Sequence, residues 1–393
     1  VKRGWSVRTI GDLISKGETV DPTKAPGELF SYVDVSSVSN DTFKIVQTSK
    51  LMGADAPSRA RRRIRANDVI FATIRPTLKR IAVVPEYLDQ QICSTGYIVL
   101  RALPDLNPRY LFHYLFSDAF QSSMEILQTG ASYPAVTDGQ VKQQPIPLPP
   151  LEEQQRIVAI LDEAFEGLDR ARVNAEANLQ NARELFEMVR NEALRIGNVG
   201  SRTVRFSDVA EITAKLVDPR KDAYADLPHV GAGNMVTGSD QLIDVKTARE
   251  EQLISGKHPF DENMVLYSKI RPYLRKVARP DFGGLCSADV YPLAPKFDVL
   301  LRDYLYHLLS GNDFTRYAIA GSDRAGMPKV NRDHLFAYEF SLPRFDDQCA
   351  ICRKLDDLQI ATERLAEIYT GKLRELADLR QSLLRKAFAG ELT

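Results

Sequence analysis

The chain has 393 residues, with 52 Lys+Arg against 52 Asp+Glu, four cysteines, 44% hydrophobic residues and a mean hydropathy of −0.26. This composition excludes collagen-like, mucin-like and wholly disordered chains, and no apolar run approaches the roughly 18 residues of a membrane span. The cysteines are too few for a disulfide framework, and V-K-R-G-W-S-V-R-T-I at the start has no apolar signal region, so a cytoplasmic protein is expected. Zero net charge speaks at first against a nucleic-acid partner, which usually meets a basic surface.

In chain order, residues 1–150 alternate short β-rich runs (69–74, 80–84, 98–100) with helical stretches such as 108–120, an α+β pattern. Within this part, R-A-R-R-R-I-R at 59–65 gathers Arg59, Arg61, Arg62, Arg63 and Arg65, side chains suited to phosphate contact or bidentate guanine readout. Pro145, Pro147, Pro149 and Pro150 form a stop, and a helix follows over 151–196, free of proline, with Glu152 and Glu153 at its start. Residues 197–344 return to the α+β pattern, with runs at 264–270 and 276–278 and a helix at 300–309. Lys215, Arg220 and Lys221 flank a turn there. A second long helix occupies 345–393, opening on Asp346 and Asp347.

The second half repeats the first. I-R-P-T-L-K-R-I-A at 74–82 returns as I-R-P-Y-L-R-K-V-A at 270–278, an offset of 196 residues, half the chain. Cys93-Ser94, Y-L-F-H at 110–113, Pro134-x-Val136, L-P-P-L-E-E-Q at 148–154 and R-x-x-x-L-R at 190–195 all recur in the same order. Two copies of one module are therefore expected, divided as 1–150, 151–196, 197–344 and 345–393. Arg75, Lys79 and Arg80, with Arg271, Arg275 and Lys276, belong to the repeated I-R-P motif and are assigned to the fold or to DNA-backbone contact.

Leu161, Leu168 and Leu185 in the first long helix, and Leu355, Leu358, Leu365, Leu376 and Leu383 in the second, follow heptad steps and are expected to be the partner-binding positions of these helices. A helix of some 43 residues is about 65 Å long at ~1.5 Å per residue, so it needs a partner, and the other copy's helix is the obvious one. The expected fold is α+β, with two pseudo-two-fold-related globular domains separated by two long helices in an antiparallel coiled coil. Charge follows the same division. The globular parts together carry net +5 and the long helices net −5.

Catalytic signatures are weak. N-P-R-Y at 107–110 departs from the methyltransferase N-P-P-Y loop, G-A-G-N at 231–234 is a lone Gly-x-Gly, and Cys349-x-x-Cys352 is a single pair. His113 and His307, in the repeated Y-L-[FY]-H segments, read as helix-packing residues. Asp218 with Asp244-x-Lys246 is a chance-level nuclease spacing. A binding scaffold is expected, with a self-sufficient DNA nuclease or a coiled-coil adaptor as alternatives.

P-L-P-P-L-E-E-Q-Q-R-I at 147–157, S-L-P-R-F-D-D-Q-C-A-I at 341–351, L-R-Q-S-L-L-R-K-A-F-A-G-E-L at 379–392 and G-A-S-Y-P-A-V at 130–136 carry a resemblance. The chain resembles the specificity subunit of type I restriction–modification systems, over essentially its whole length. The resemblance implies two target recognition domains, each reading half of an asymmetric bipartite site in double-stranded DNA. It adds Ser132 and Tyr133 to the DNA-contacting set. It implies that the long helices act as a ruler docking two methyltransferase subunits and, in restriction complexes, motor/nuclease subunits. It further implies no catalysis and no cofactor in this chain, with S-adenosylmethionine, ATP and Mg²⁺ on the partners.

Overall fold

The computed structural model describes residues 2–196, 201–212, 215–322 and 328–392. Residues 197–200, where the sequence reading begins the second recognition domain, lie outside this set. The chain divides into two compact units, Val1–Glu176 with Gly371–Thr393, and Ala177–Thr370. Each unit thus holds one globular part, the start of one long helix and the end of the other.

In the first unit, strands Ser49–Met52, Leu29–Val33, Ile92–Ser94 and Ala60–Arg63 form one sheet in that order, with Leu29–Val33 and Ile92–Ser94 parallel. Ile81–Val83, Val69–Ala72 and Tyr97–Leu100 form a second, antiparallel sheet. The second unit repeats the plan. Lys246–Thr247, Pro228–Val230, Gly284–Cys286 and His258–Phe260 form one sheet, again with its central pair parallel. Ala210–Glu211, Val290–Pro295, Val265–Ser268 and Val277–Ala278 form the other.

Two local expectations change. The helix expected over 108–120 is two helices, Pro108–Tyr114 and Asp118–Leu127, because the Ser117 hydroxyl accepts the Phe120 N–H and starts the second. The proline stop is itself a strand, Pro145–Leu148, paired antiparallel with Ser6–Thr9. Prolines at alternate positions turn their missing N–H away from the partner strand. Their carbonyls are used instead, by the hydroxyls of Tyr110 (2.8 Å to Pro147) and Tyr114 (to Pro145). Glu339–Leu342 takes the same place in the second unit, against Arg202–Arg205.

The long helices run Leu151–Ile196 and Phe345–Ala389 and pack together start against end. In the first unit, Ile157, Leu161 and Phe165 from the start of the first helix share a core with Leu384 and Phe388 from the end of the second, beneath Phe71, Leu111 and Phe120. In the second unit, Leu194 from the end of the first helix and Cys352 from the start of the second join the core of Tyr267, Leu305 and Phe314.

The repeated motifs explain this docking. Gln154 is fully buried in the first turn of its helix; its Oε1 accepts the Asn107 N–H (2.8 Å), and its Nε2 donates to Asp105 O (2.9 Å) and Pro149 O (3.0 Å). Gln348 does the same with Leu301 N–H (2.8 Å), Val299 O (3.0 Å) and Pro343 O (3.0 Å). In R-x-x-x-L-R, Leu194 and Leu384 enter the two cores. Arg195 and Arg385 pair with Asp313 and Asp118, each in the first turn of a globular-part helix.

His113 and His307 are buried helix-packing residues whose Nε2 meets a carboxylate on the long helix, Asp162 at 2.7 Å and Asp356 at 3.1 Å. Their Nδ1 atoms have no partner among the described residues. A second proton on either ring would therefore have no acceptor there, and burial pushes both imidazoles below their ordinary 6.5. Burial also pushes the carboxyls of Asp162 and Asp356 up. Hydrogen bonds from His113 with Arg109, and from His307 with Arg279, outweigh this and hold both at about 2.

Two outcomes follow. Gln154→Leu leaves one N–H and two carbonyls without their partner, and denaturant unfolding should show the first unit losing roughly 3 kcal/mol, since each buried orphan costs about 1–3 kcal/mol. For the histidines, the unfolded chain binds the proton more readily than the fold. Their contribution is complete above about pH 6.5 and declines as the pH falls below it. Denaturation midpoints measured from pH 8 to 5 should drop on the acid side, and His113→Gln with His307→Gln should flatten that drop.

Candidate nucleic-acid interface

The I-R-P motif builds the same loop in each unit. Proline disfavours the right-handed helical region for the residue before it. Arg75 and Arg271 instead adopt the left-handed region at φ 49° each, followed by the short turns Pro76–Leu78 and Pro272–Leu274. Lys79 and Arg275 close these turns, also left-handed, at φ 52° and 46°. Such conformations cost on the order of 1–3 kcal/mol each for non-glycine residues and persist only where neighbours impose them. Here the repeated Pro-x-Val segment does so. Arg75 N–H donates to Pro134 O (2.7 Å) and Arg271 N–H to Pro328 O (2.8 Å), while Val136 and Val330 N–H reach the carbonyls of Thr73 and Lys269.

The six motif cations then divide. Arg80 donates to the carbonyls of Val35 (3.2 Å), Ser36 (3.3 Å) and Val38 (2.6 Å), Lys276 to Ala232 O (2.6 Å), and Arg275 to Glu187 Oε2 (2.7 Å) and Asn312. These three hold the fold. Arg75 and Arg271 are exposed, and Lys79, half-buried, has no side-chain partner among the described residues. Arg75 lies over the exposed ring of Tyr133, 5.1 Å from its centroid, in the loop that also exposes Ser132.

The arginine cluster is more occupied than its sequence suggests. Arg61 pairs with Asp21 (3.5 Å), Arg62 with Asp138 (2.7 Å), and Arg63 and Arg65 both with Glu18 (3.7 and 3.0 Å). Only Arg59 is exposed without a side-chain partner among the described residues. Its carbonyl accepts Thr95 N–H, and the adjoining Gly96 carbonyl accepts Thr73 N–H, so it borders the segment leading to Arg75. In the second unit Arg220 pairs with Asp218 (2.8 Å), while Lys215 and Lys221 are exposed. Three charged residues not singled out from sequence, Lys269, Asp289 and Lys329, lie beside Arg271. They are distant from one another along the chain, and only alignment of the two copies at these positions marks them.

The weak catalytic signatures have structural roles. Asn107 caps the helix Pro108–Tyr114, and Asn234 closes its own loop through Gly231 N–H (2.8 Å). Cys349 and Cys352 are free thiols, and among the described residues no group of three or more His, Cys, Asp or Glu could hold a metal. No helix among them is long and apolar enough to cross a membrane.

Residues 2–178 and 198–370 both match the family model of the type I restriction modification DNA specificity domain. The chain belongs to this family. It is a type I restriction–modification specificity subunit, a non-catalytic member of such systems. It is 33% identical over 190 residues to the EcoDI specificity subunit of Escherichia coli, a match covering 48% of this chain and 42% of that one. It is 20% identical over 332 residues to the StySPI subunit of Salmonella potsdam, covering 77% and 69%. Among solved structures it is similar to a chain of a type I system studied for complex assembly and conformational transition, at 29% identity and a TM-score of 0.85, covering 100% and 99%. It is also similar to the HsdS subunit from Thermoanaerobacter tengcongensis, at 31% identity and a TM-score of 0.62, covering 100% and 98%.

The specificity subunit's helix leucines separate by burial. Leu161 and Leu355 are fully buried in their own units, which removes them from any partner-facing surface. Leu168, Leu358, Leu376 and Leu383 are half-buried, and Leu185 and Leu365 are exposed. For the motif arginines, denaturant unfolding should separate strain from support. Arg75→Gly should gain about 1 kcal/mol by relieving the left-handed backbone, whereas Arg80→Ala should lose about 2 kcal/mol with its three carbonyl contacts.

Proposed function

We propose that this chain reads an asymmetric bipartite site in double-stranded DNA, with residues 1–150 and 197–344 as target recognition domains and the long helices as spacer. The supporting observation is the strained, solvent-facing arginine that both units present from the same loop, Arg75 and Arg271. A shared, exposed cation suits what both half-sites share, the phosphate backbone, while the differing loops around it suit different bases. Arg59, Lys79, Ser132, Tyr133, Lys215 and Lys221 extend the contact surface. Arg61, Arg62, Arg63, Arg65 and Arg220 join it by exchanging partly exposed ion pairs, worth roughly 0–1 kcal/mol each, for phosphates.

In this reading the exposed helix positions, among them Leu185 and Leu365, dock two methyltransferase subunits in the cytoplasm, and motor/nuclease subunits complete a restriction complex. S-adenosylmethionine, ATP and Mg²⁺ belong to those partners.

The test pairs the chain with its methyltransferase subunits on a duplex carrying the methylated motif of the host genome. The complex should methylate and bind that duplex, and the chain alone should transfer no methyl group. Arg75→Ala with Arg271→Ala should weaken binding to all duplexes alike and reduce the slope of log K against log salt by about 2, near one per lost phosphate contact. Unchanged affinity removes the two arginines from the interface. Methyl transfer or Mg²⁺-dependent nicking by the chain alone overturns the non-catalytic reading, and absence of any DNA affinity leaves a coiled-coil adaptor.

A further inference from the structure

The two copies act as internal controls for each other. Where equivalent positions differ in chemistry, they point to what distinguishes the two units. Three equivalences can be fixed by backbone contacts around the I-R-P loop. The Thr73 and Lys269 carbonyls both accept the repeated valine N–H, at 2.9 and 2.8 Å. The Gly96 and Asp289 carbonyls accept the N–H of those two residues, at 2.9 and 3.0 Å. Ala135 and Lys329 both bridge the isoleucine before the motif arginine. Thr, Gly and Ala beside Arg75 are thus replaced by Lys, Asp and Lys beside Arg271.

The three charges form one cluster. Lys269 Nζ lies 3.7 Å and Lys329 Nζ 3.5 Å from the same oxygen, Asp289 Oδ1. The Lys269 side chain is only 12% exposed, donates to the Ala288 carbonyl and lies over the Tyr291 ring at 5.2 Å, so it is a fixed internal counter-charge. Asp289 and Lys329 are about half exposed, at 47% and 45%. A carboxylate at this place is repelled by phosphate, so contact with the DNA backbone does not explain it. Base edges do offer it a partner. In the major groove only cytosine N4 and adenine N6 present amino donors, and an ammonium beside the carboxylate matches guanine O6 and N7.

We propose that Asp289 and Lys329 read a G·C base pair in the half-site of the second unit, Asp289 accepting from cytosine N4 and Lys329 donating to guanine. This rests on the DNA-reading proposal above. The first unit, with neutral residues at all three positions, makes no such contact from this loop.

The test is selection from a duplex library with randomised positions, using the full chain in complex with its methyltransferase subunits. Wild type, Asp289→Asn and Lys329→Gln are compared. Each substitution should reduce the preference for one G·C pair in one half of the motif by about tenfold or more, with the other half unaltered. Asp289→Asn should at the same time raise affinity for unrelated DNA, because a negative charge leaves the surface. An unaltered motif overturns the inference alone, as does relaxation at an A·T pair. Loss of both half-motifs assigns the cluster to the fold and also overturns it. A wild-type complex that selects no motif overturns both this inference and the reading it rests on.

Discussion

Each globular part is held on the helices by a buried glutamine amide that satisfies three backbone groups at once. Gln154 and Gln348 sit where a long helix begins, and the groups they satisfy belong to the loop entering a globular-part helix and to the proline before the long helix. A buried backbone group without a partner is costly, so this arrangement admits one orientation of helix against loop. The His113–Asp162 and His307–Asp356 contacts fix the same junctions two turns further along. Under the proposed function this orientation matters, because each globular part would have to present its loops to its own half-site.

Each unit is built from non-adjacent stretches of chain. The start of one long helix and the end of the other close each core, and R-x-x-x-L-R supplies the closing contacts in both. The helices are therefore structural members of both units and not appended rods. Leu161 and Leu355, near the starts of the two helices, are accordingly fully buried, whereas Leu185 and Leu365 remain at the surface.

The distribution of charge has two levels. Globular parts are net basic and helices net acidic, which resolves the zero sum of the whole chain. Within the first globular part, however, the densest basic run is largely neutralised by Glu18, Asp21 and Asp138. Arg75 and Arg271, on the repeated loop, stay exposed and have no ion-pair partner among the described residues. Local charge density in a sequence is thus a poor guide to the field a partner meets, because acids remote in the chain screen it.

The sequence by itself determined the two-copy design, the long helices and the family. These rest on motif repetition and on long proline-free stretches with periodic apolar residues, which are local signals. It also read His113 as a packing residue, left Arg75 between the fold and the DNA backbone, and marked Gln154 as repeated without stating its task. Only the tertiary structure decided that Arg80, Arg275 and Lys276 face inward to carbonyls and a carboxylate while Arg75 and Arg271 face solvent. It alone turned the proline run into a strand and set Lys269, Asp289 and Lys329 side by side. The physical reason is the same in each case. A side chain's task follows from the partners it meets, and here those partners come from segments dozens of residues away.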